Sequence, residues 1–273
     1  YTDASYQPPH PTPETHNIPP AAGTYYLEAT YAPGNPDNYS AASARAAVVI
    51  RPAGEEALRI TENGYSGYYD GQAHTAGRLT VTEADGSPLE GSCTVYYRLG
   101  EAGEETTDPD ALTVTDAGTC SVAYRIVTDN YGEHTGTFEA VVSPAEFTLS
   151  SGLAAKVDKT YDGDDGVDAA LAPVLTVTAG RGTRVEADIV SNTADAAYDS
   201  ADVTEGNHIN VTYTVTFRDE TAAQNYTYKG EGTQTETDET TLTVTENSAG
   251  GITPRTVTVT AQSAQKVYSA EDP

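Results

Sequence analysis

Cys93 and Cys120 are the two cysteines of this 273-residue chain, and oxidation to a disulfide is the first chemistry their number suggests. Cys93 shares strand parity with Val95 and Tyr97, and Cys120 with Val122, Tyr124 and Ile126. Both sulfurs are therefore expected on the apolar side of their strands. A bond there would stabilise the fold by about 3 to 4 kcal/mol through loop closure; the competing reading is two inert buried thiols. Asp162, Asp164 and Asp165 offer a second chemistry, calcium ligation. Gly166 replaces the third carboxylate of the EF-hand loop and Val167 its turn glycine, so only a weak calcium candidate remains. Asp195, Asp199, Asp202 and Glu205 form a looser acidic set. Lys156 or Lys159 could condense with an asparagine into an isopeptide bond with loss of ammonia. His10, His16, His74, His134 and His208 lack ligand spacing to the cysteines, and no cofactor is expected. No Gly-x-Ser-x-Gly, His-Glu-x-x-His, phosphate-loop or dinucleotide fingerprint occurs, so the chain reads as non-catalytic.

The residues that position these groups recur. Asn-Tyr pairs stand at Asn38-Tyr39, Asn130-Tyr131 and Asn225-Tyr226, their tyrosines 92 and then 95 residues apart. Tyr69-Asp70-Gly71 returns 92 residues later as Tyr161-Asp162-Gly163, and Lys159-Thr160-Tyr161 returns after 107 as Lys266-Val267-Tyr268. Pro52 and Pro144 keep the same interval of 92, and Pro254 follows. Ala22-Gly23-Thr24 aligns with Ala117-Gly118-Thr119. A period this long exceeds solenoid repeats and matches small domains in tandem. Tyr-Asp-Gly has a geometric purpose: glycine accepts positive φ, the aspartate bonds its own turn, and the tyrosine buries its ring with its hydroxyl at the rim. Exposed stacking by Tyr69 and Tyr161 on a ligand is the alternative use. Asn38, Asn210 and Asn225 also fit the glycosylation sequon.

The predicted elements are strands. Val211, Tyr213, Val215 and Phe217 alternate with threonines, as do Val122, Tyr124 and Ile126, giving one apolar and one wet face. Further strands are predicted around Leu79–Val81, Val95–Tyr97, Leu112–Val114, Phe138–Val142, Val174–Val177, Leu242–Val244 and Val257–Val259, with no amphipathic helix. The expected class is all-β: tandem Ig-like β-sandwich repeats of about 92–107 residues in an elongated array. Residues 1–52 are expected to be the closing part of a truncated repeat, 53–147 a complete repeat, 148–255 a repeat with an insert near 230–251, and 256–273 the start of another. The absence of methionine, the initiator included, points to an excerpt or a processed product. A net charge of −27 disfavours nucleic acid and anionic membrane surfaces as partners, and no apolar run is long enough for a membrane span.

The strings KTYDGDDG (159–166), GYYDGQAHT (67–75), ITPRTVTV (252–259) and KVYSAEDP (266–273) resemble the YDG and MBG repeat families of bacterial surface proteins. The resemblance covers essentially the whole chain: residues 53–147 look MBG-like and 148–255 YDG-like. It implies β-sandwich modules of large secreted or wall-attached, adhesin-like proteins, extracellular, at the cell surface and without catalysis. Their partners would be neighbouring repeats and an unknown glycan or protein ligand. A carbohydrate- or host-protein-binding module is the alternative function; its expected signature is a cluster of exposed aromatics on one unit, with Tyr1–Pro20 the place to seek it. Cys120 stands where the first unit has Tyr25, and the third unit carries the insert, so these two departures mark where specialisation is expected.

Overall fold

The computed structural model describes residues 21–268 apart from 36, 90, 154–155, 169–170 and 183–184. The Tyr1–Pro20 stretch and the last five residues of KVYSAEDP lie outside the described residues. Strands make up 53% of the chain and helix 6%, so the chain is all-β, and its sheets curl into half-barrels. Contacts divide it into two compact units. One comprises the chain up to Ser66 with Ala73–Val114 and Thr119–Val141; the other comprises Gly67–Gln72, Thr115–Gly118 and the chain from Val142 onward.

The first unit contains β1 (Gly23–Tyr31) and β2 (Ala42–Ile50), an antiparallel hairpin in register from Gly23–Ile50 to Tyr31–Ala42. β3 (Leu58–Gly64), β4 (Ser66–Tyr68), β5 (His74–Thr75), β6 (Gly77–Glu83), β7 (Cys93–Leu99), β8 (Thr113–Val114), β9 (Gly118–Thr128) and β10 (Gly132–Ser143) follow in the chain, with Gly67 and Tyr68 of β4, Gly118 of β9 and Val142 and Ser143 of β10 belonging to the second unit. A four-stranded sheet has the order β4-β10-β9-β7, and β3 pairs β6 while β5 pairs β8. Alternation in β9 buries Val122, Tyr124 and Ile126, which meet Tyr97 of β7 and Phe138 of β10 in one core.

The second unit contains β11 (Ala145–Ser150), β12 (Lys156–Thr160), β13 (Thr176–Ala179), α1 (Val185–Asp188), β14 (Ile189–Tyr198), β15 (His208–Phe217), α2 (Glu220–Gln224), β16 (Tyr226–Tyr228), β17 (Thr233–Asp238) and β18 (Thr241–Thr253). One sheet runs β12-β18-β15-β14 with β17 also on β18, and the other runs β13-β11-β16. β15 buries Ile209, Val211, Tyr213, Val215 and Phe217 on one face, each contributing about 2 kcal/mol by transfer from water. β12 joins β18, and β11 joins β16, in parallel, so the opening strands of the unit lie beside its closing ones.

Several expectations shift. The strand expected at Leu112–Val114 shortens to Thr113–Val114, and that at Val174–Val177 moves to Thr176–Ala179. Val257 and Val259 lie in no strand and are 79% and 87% exposed. Two helices of four and five residues interrupt the strands, α2 being capped by Asp219, whose Oδ1 accepts from Ala222 N at 2.8 Å. The disulfide reading is corrected: Cys93 and Cys120 are free and exposed. Cys93 faces Thr128 across the β7–β9 ladder, whereas Cys120 lies beyond the other end, where Leu99 faces Val122. That separation along β9 is about 27 Å, far beyond disulfide reach. Strand parity sets the face of a side chain but not its height along the strand, and both cysteines fall at strand ends outside the core. Both thiols should therefore react with a thiol-exchange reagent in the native protein, although partial burial holds the Cys93 thiol pKa above its ordinary value. Thiols that react only after denaturation would contradict this placement.

Candidate functional site

The two Tyr-Asp-Gly corners fold alike. Gly71 and Gly163 take φ of 74° and 87°, a region that β-carbon sterics make costly for other residues. Asp70 Oδ1 accepts from Gln72 N at 2.8 Å and Asp162 Oδ1 from Asp164 N at 3.0 Å, closing the same side-chain turn. The main chain repeats too. Tyr69 N donates to Ser143 O at 2.8 Å, and Tyr161 N to Thr253 O at 2.9 Å; both acceptors immediately precede a proline, Pro144 and Pro254. The rings differ. Tyr69 is 7% exposed and packs edge-on against Tyr226 with centroids 5.4 Å apart, while Tyr161 is 39% and Tyr268 96% exposed.

The Asn-Tyr pairs act through their asparagines. Within the first unit, Asn130 Oδ1 accepts from Ala22 N at 2.9 Å and Asn130 O from Ala53 N at 2.7 Å. Within the second, Asn225 Oδ1 accepts from Ala117 N at 2.5 Å and Asn225 O from Ala145 N at 2.8 Å. The side-chain bond spans 108 residues in both cases. One asparagine thus clamps the Ala-Gly-Thr marker and the residue after the proline marker of the preceding repeat. Asn225 is 2% exposed and its Nδ2 also donates to Asp116 Oδ1 at 2.9 Å, which satisfies its amide. The Asn-Tyr spacing was legible in the sequence, but the amide's reach to Ala-Gly-Thr was not.

Beneath this clamp lies a buried carboxylate that sequence reasoning missed. Asp188, 6% exposed at the end of α1, receives Tyr226 Oη at 2.6 Å, Tyr69 Oη at 3.4 Å and Arg218 Nη1 at 2.8 Å. Three donors around one carboxylate compensate its burial, so it works as a structural hub for Tyr69, Tyr226 and Arg218. Its one sequence signal is a register position, three residues after the buried Val185 in the VEAD helix.

The acidic loop is occupied by its own turn. Lys159 Nζ donates to Asp164 O at 2.6 Å and Gly166 O at 3.0 Å and pairs with Asp162 Oδ1 at 3.0 Å, under the ring of Tyr198. Asp164 Oδ1 accepts from Gly166 N, and Asp165 supplies its carbonyl to Tyr198 N. Asp162, Asp164 and Asp165 therefore do not converge, and among the described residues no three His, Cys, Asp or Glu side chains form a metal-holding group. Lys156 pairs with Asp158 at 2.8 Å, so neither lysine's bonds point to an asparagine partner for an isopeptide. The Lys159 bond holds the Asp162 carboxyl below its usual range.

The insert forms one wall of an open cavity of about 420 Å³ in the second unit, with α2 and β17 around a floor of Phe147, Phe217, Tyr226 and Tyr228. These rings are spent on one another: Phe217 stacks on Tyr226 at 5.5 Å, Phe147 meets Tyr228 edge-on at 5.7 Å, and none exceeds 7% exposure. The floor thus offers a ligand little aromatic face. Exposed tyrosines gather instead on the β1–β2 hairpin, at Tyr26, Tyr31 and Tyr39, with exposures of 76%, 47% and 59%. No helix among the described residues is long and apolar enough to cross a membrane. No family model matches the chain, and no curated protein is significantly similar to it.

Replacing Asn225 by Ala should strand the Ala117 N–H and cost about 2 kcal/mol. Hydrogen exchange should then accelerate at Ala117 while Ala22 stays protected, and Asn130→Ala should reverse the pattern; equal protection in both variants would count against the clamps. Burial raises the phenol pKa of Tyr69, Tyr198, Tyr213 and Tyr228, with Asp188 adding to it at Tyr69 and Glu246 at Tyr213 and Tyr228. A raised folded pKa contributes stability that is complete below the unfolded value of about 10 and lost as pH climbs through the folded value. Tyrosinate absorbance of the second unit should therefore appear late, together with loss of near-ultraviolet circular dichroism; independent titration of all phenols at ordinary pH would refute it.

Proposed function

We propose that this chain consists of non-catalytic structural repeats from a secreted or wall-attached bacterial surface protein, with tandem Ig-like modules arrayed as a stalk that carries an adhesive region. The observation that carries this reading is the duplicated clamp: Asn130 and Asn225 make the same pair of bonds to the same markers, the side-chain bond spanning 108 residues in each. The copied residues serve corners and junctions, and the groups open to chemistry are absorbed there. Lys159, Asp162 and Asp164 fix a turn, and Asp188 fixes a buried hub. The likeness of the corner motifs to the YDG and MBG families supports the extracellular setting, and the net charge of −27 suits a soluble, self-repelling surface.

A carbohydrate- or protein-binding module is the second reading, favoured by the exposed Tyr26, Tyr31 and Tyr39. Antibodies raised against the chain should label intact cells of the producing bacterium, and small-angle scattering should return an elongated particle. Labelling only after lysis would sink the stalk reading. Binding of the chain to a glycan array, abolished by Tyr26→Ala, would move the assignment to the binding module.

A further inference from the structure

The β7–β9–β10 sheet of the first unit carries a groove of about 360 Å³ on the face opposite its core. The lining side chains alternate with the buried ones: Tyr96 and Arg98 on β7, Ala123 and Arg125 on β9, Thr135 and Thr137 on β10. Register sets Tyr96 opposite Arg125 and Arg98 opposite Ala123, so the two arginines are diagonal neighbours and Ala123 keeps the floor between them low. Arg125 is fixed on two sides. Its guanidinium lies 4.2 Å from the centroid of the Tyr96 ring, and its Nε and Nη2 donate to Glu105 Oε1 and Oε2 at 3.4 and 2.9 Å. Glu105 is brought there by its neighbour Thr106, which accepts from Tyr97 N at 2.7 Å and donates to Tyr97 O at 2.9 Å on the β7 edge. Arg98 is exposed and forms no ion pair among the described residues. Two guanidinium groups against one carboxylate leave the groove with a positive surplus on a chain of net charge −27.

We infer that this groove is a binding site for a carboxylated sugar, a hexuronic acid residue of an acidic polysaccharide. Arg98 takes the carboxylate with its planar fork, Arg125 stays beside it as fixed positive charge, and the hydroxyls of Thr135 and Thr137 exchange hydrogen bonds with those of the ring. Glu105 on Arg125 already displays the contact, a carboxylate lying side-on against a guanidinium in this groove. Charge complementarity selects an anion, and the lining selects a sugar. Its side chains end in hydroxyl and guanidinium groups, while threonine methyls and arginine stems offer apolar surface to the C–H face of a ring. Strand addition of an acidic peptide to the β7 edge is blocked at Tyr97, where Thr106 already pairs. The volume lies at the lower end of the range of small-ligand sites, as suits a site for single residues of a longer glycan. None of Tyr26, Tyr31 and Tyr39 lines it, so the site is separate from the hairpin of the second reading.

The test is calorimetric titration of the full chain with a galacturonic acid trimer in low-salt buffer. Binding should saturate with a Kd of about 1 mM or tighter and weaken as salt rises. The methyl-esterified trimer, the same size without the charge, should bind about tenfold more weakly or worse. Arg98→Ala should cost about tenfold in affinity, and Arg98→Lys should recover only part of it, because an ammonium lacks the fork. Glu105→Gln should tighten binding by removing the competing carboxylate, a gain that a merely structural role would not produce. Arg98 is exposed, so circular dichroism should not change. Arg78→Ala, on an exposed arginine outside the groove, should bind as the parent does. No saturation by about 10 mM trimer, an ester bound as tightly as the acid, or unaltered affinity in Arg98→Ala would each overturn the proposal. So would an equal loss in Arg78→Ala, polyglutamate bound as tightly as the trimer, or binding abolished by Tyr26→Ala alone. Failure here leaves the stalk reading standing, because no residue of this groove enters the clamps or the corners.

Discussion

The amide of one asparagine per repeat is the constraint on which the arrangement depends. A carboxamide offers an acceptor and donors on one short side chain, and the same residue adds a main-chain carbonyl, so Asn130 and Asn225 can each hold two segments that are far apart in sequence. A shorter side chain would not reach, and a carboxylate could not donate to Asp116 as Asn225 does. The other repeated features follow from this anchor. Proline ends the closing strand and the next residue turns its N–H to the asparagine carbonyl. The corner tyrosine then lays its own N–H on the residue before that proline. The consequence is a set of non-local pairings in which opening strands lie parallel to closing ones.

Such a fold has to be stable with little apolar material. The core relies on tyrosines whose rings fill space while their hydroxyls find partners. Tyr213 and Tyr228 share Glu246, Tyr226 and Tyr69 share Asp188, and Tyr97 receives the Leu79 N–H. Burial of a phenol is favourable only while that partner remains, which ties the packing of the second unit to a few acceptors. Asp188 is the extreme case, a charge kept inside by three donors. Removing any one donor weakens the compensation for the rest.

Much of the fold was legible because alternation is a local signal. The strands containing Val122, Tyr124 and Ile126, and Val211 to Phe217, bury the residues whose parity predicted it. Legibility ended where the partner decides. Val257 and Val259 have the same alternating pattern yet lie exposed, since a strand needs a neighbouring strand as well as a pattern. Cys93 and Cys120 agree in face but sit at opposite ends of the β7–β9 ladder, and height along a sheet depends on register, which one strand's sequence does not carry. The Asp162 to Asp165 loop looked like ligands because its acids were counted without Lys159, which lies on β12 and folds back over them. Asp188 was invisible for a related reason: its donors come from Gly67–Gln72, from the end of β15 and from β16.

The 108-residue reach of each clamp also sets a clock for synthesis. Ala22 leaves the ribosome well before Asn130 exists, and at about 5 to 20 residues per second the wait is roughly 5 to 20 s. Ala117 then waits as long for Asn225. Every hairpin of this pattern is therefore finished by the arrival of the next, and the nascent chain folds with a constant lag of about one period. During that interval the newest hairpin is the part of the chain most open to chaperones, proteases and premature pairing.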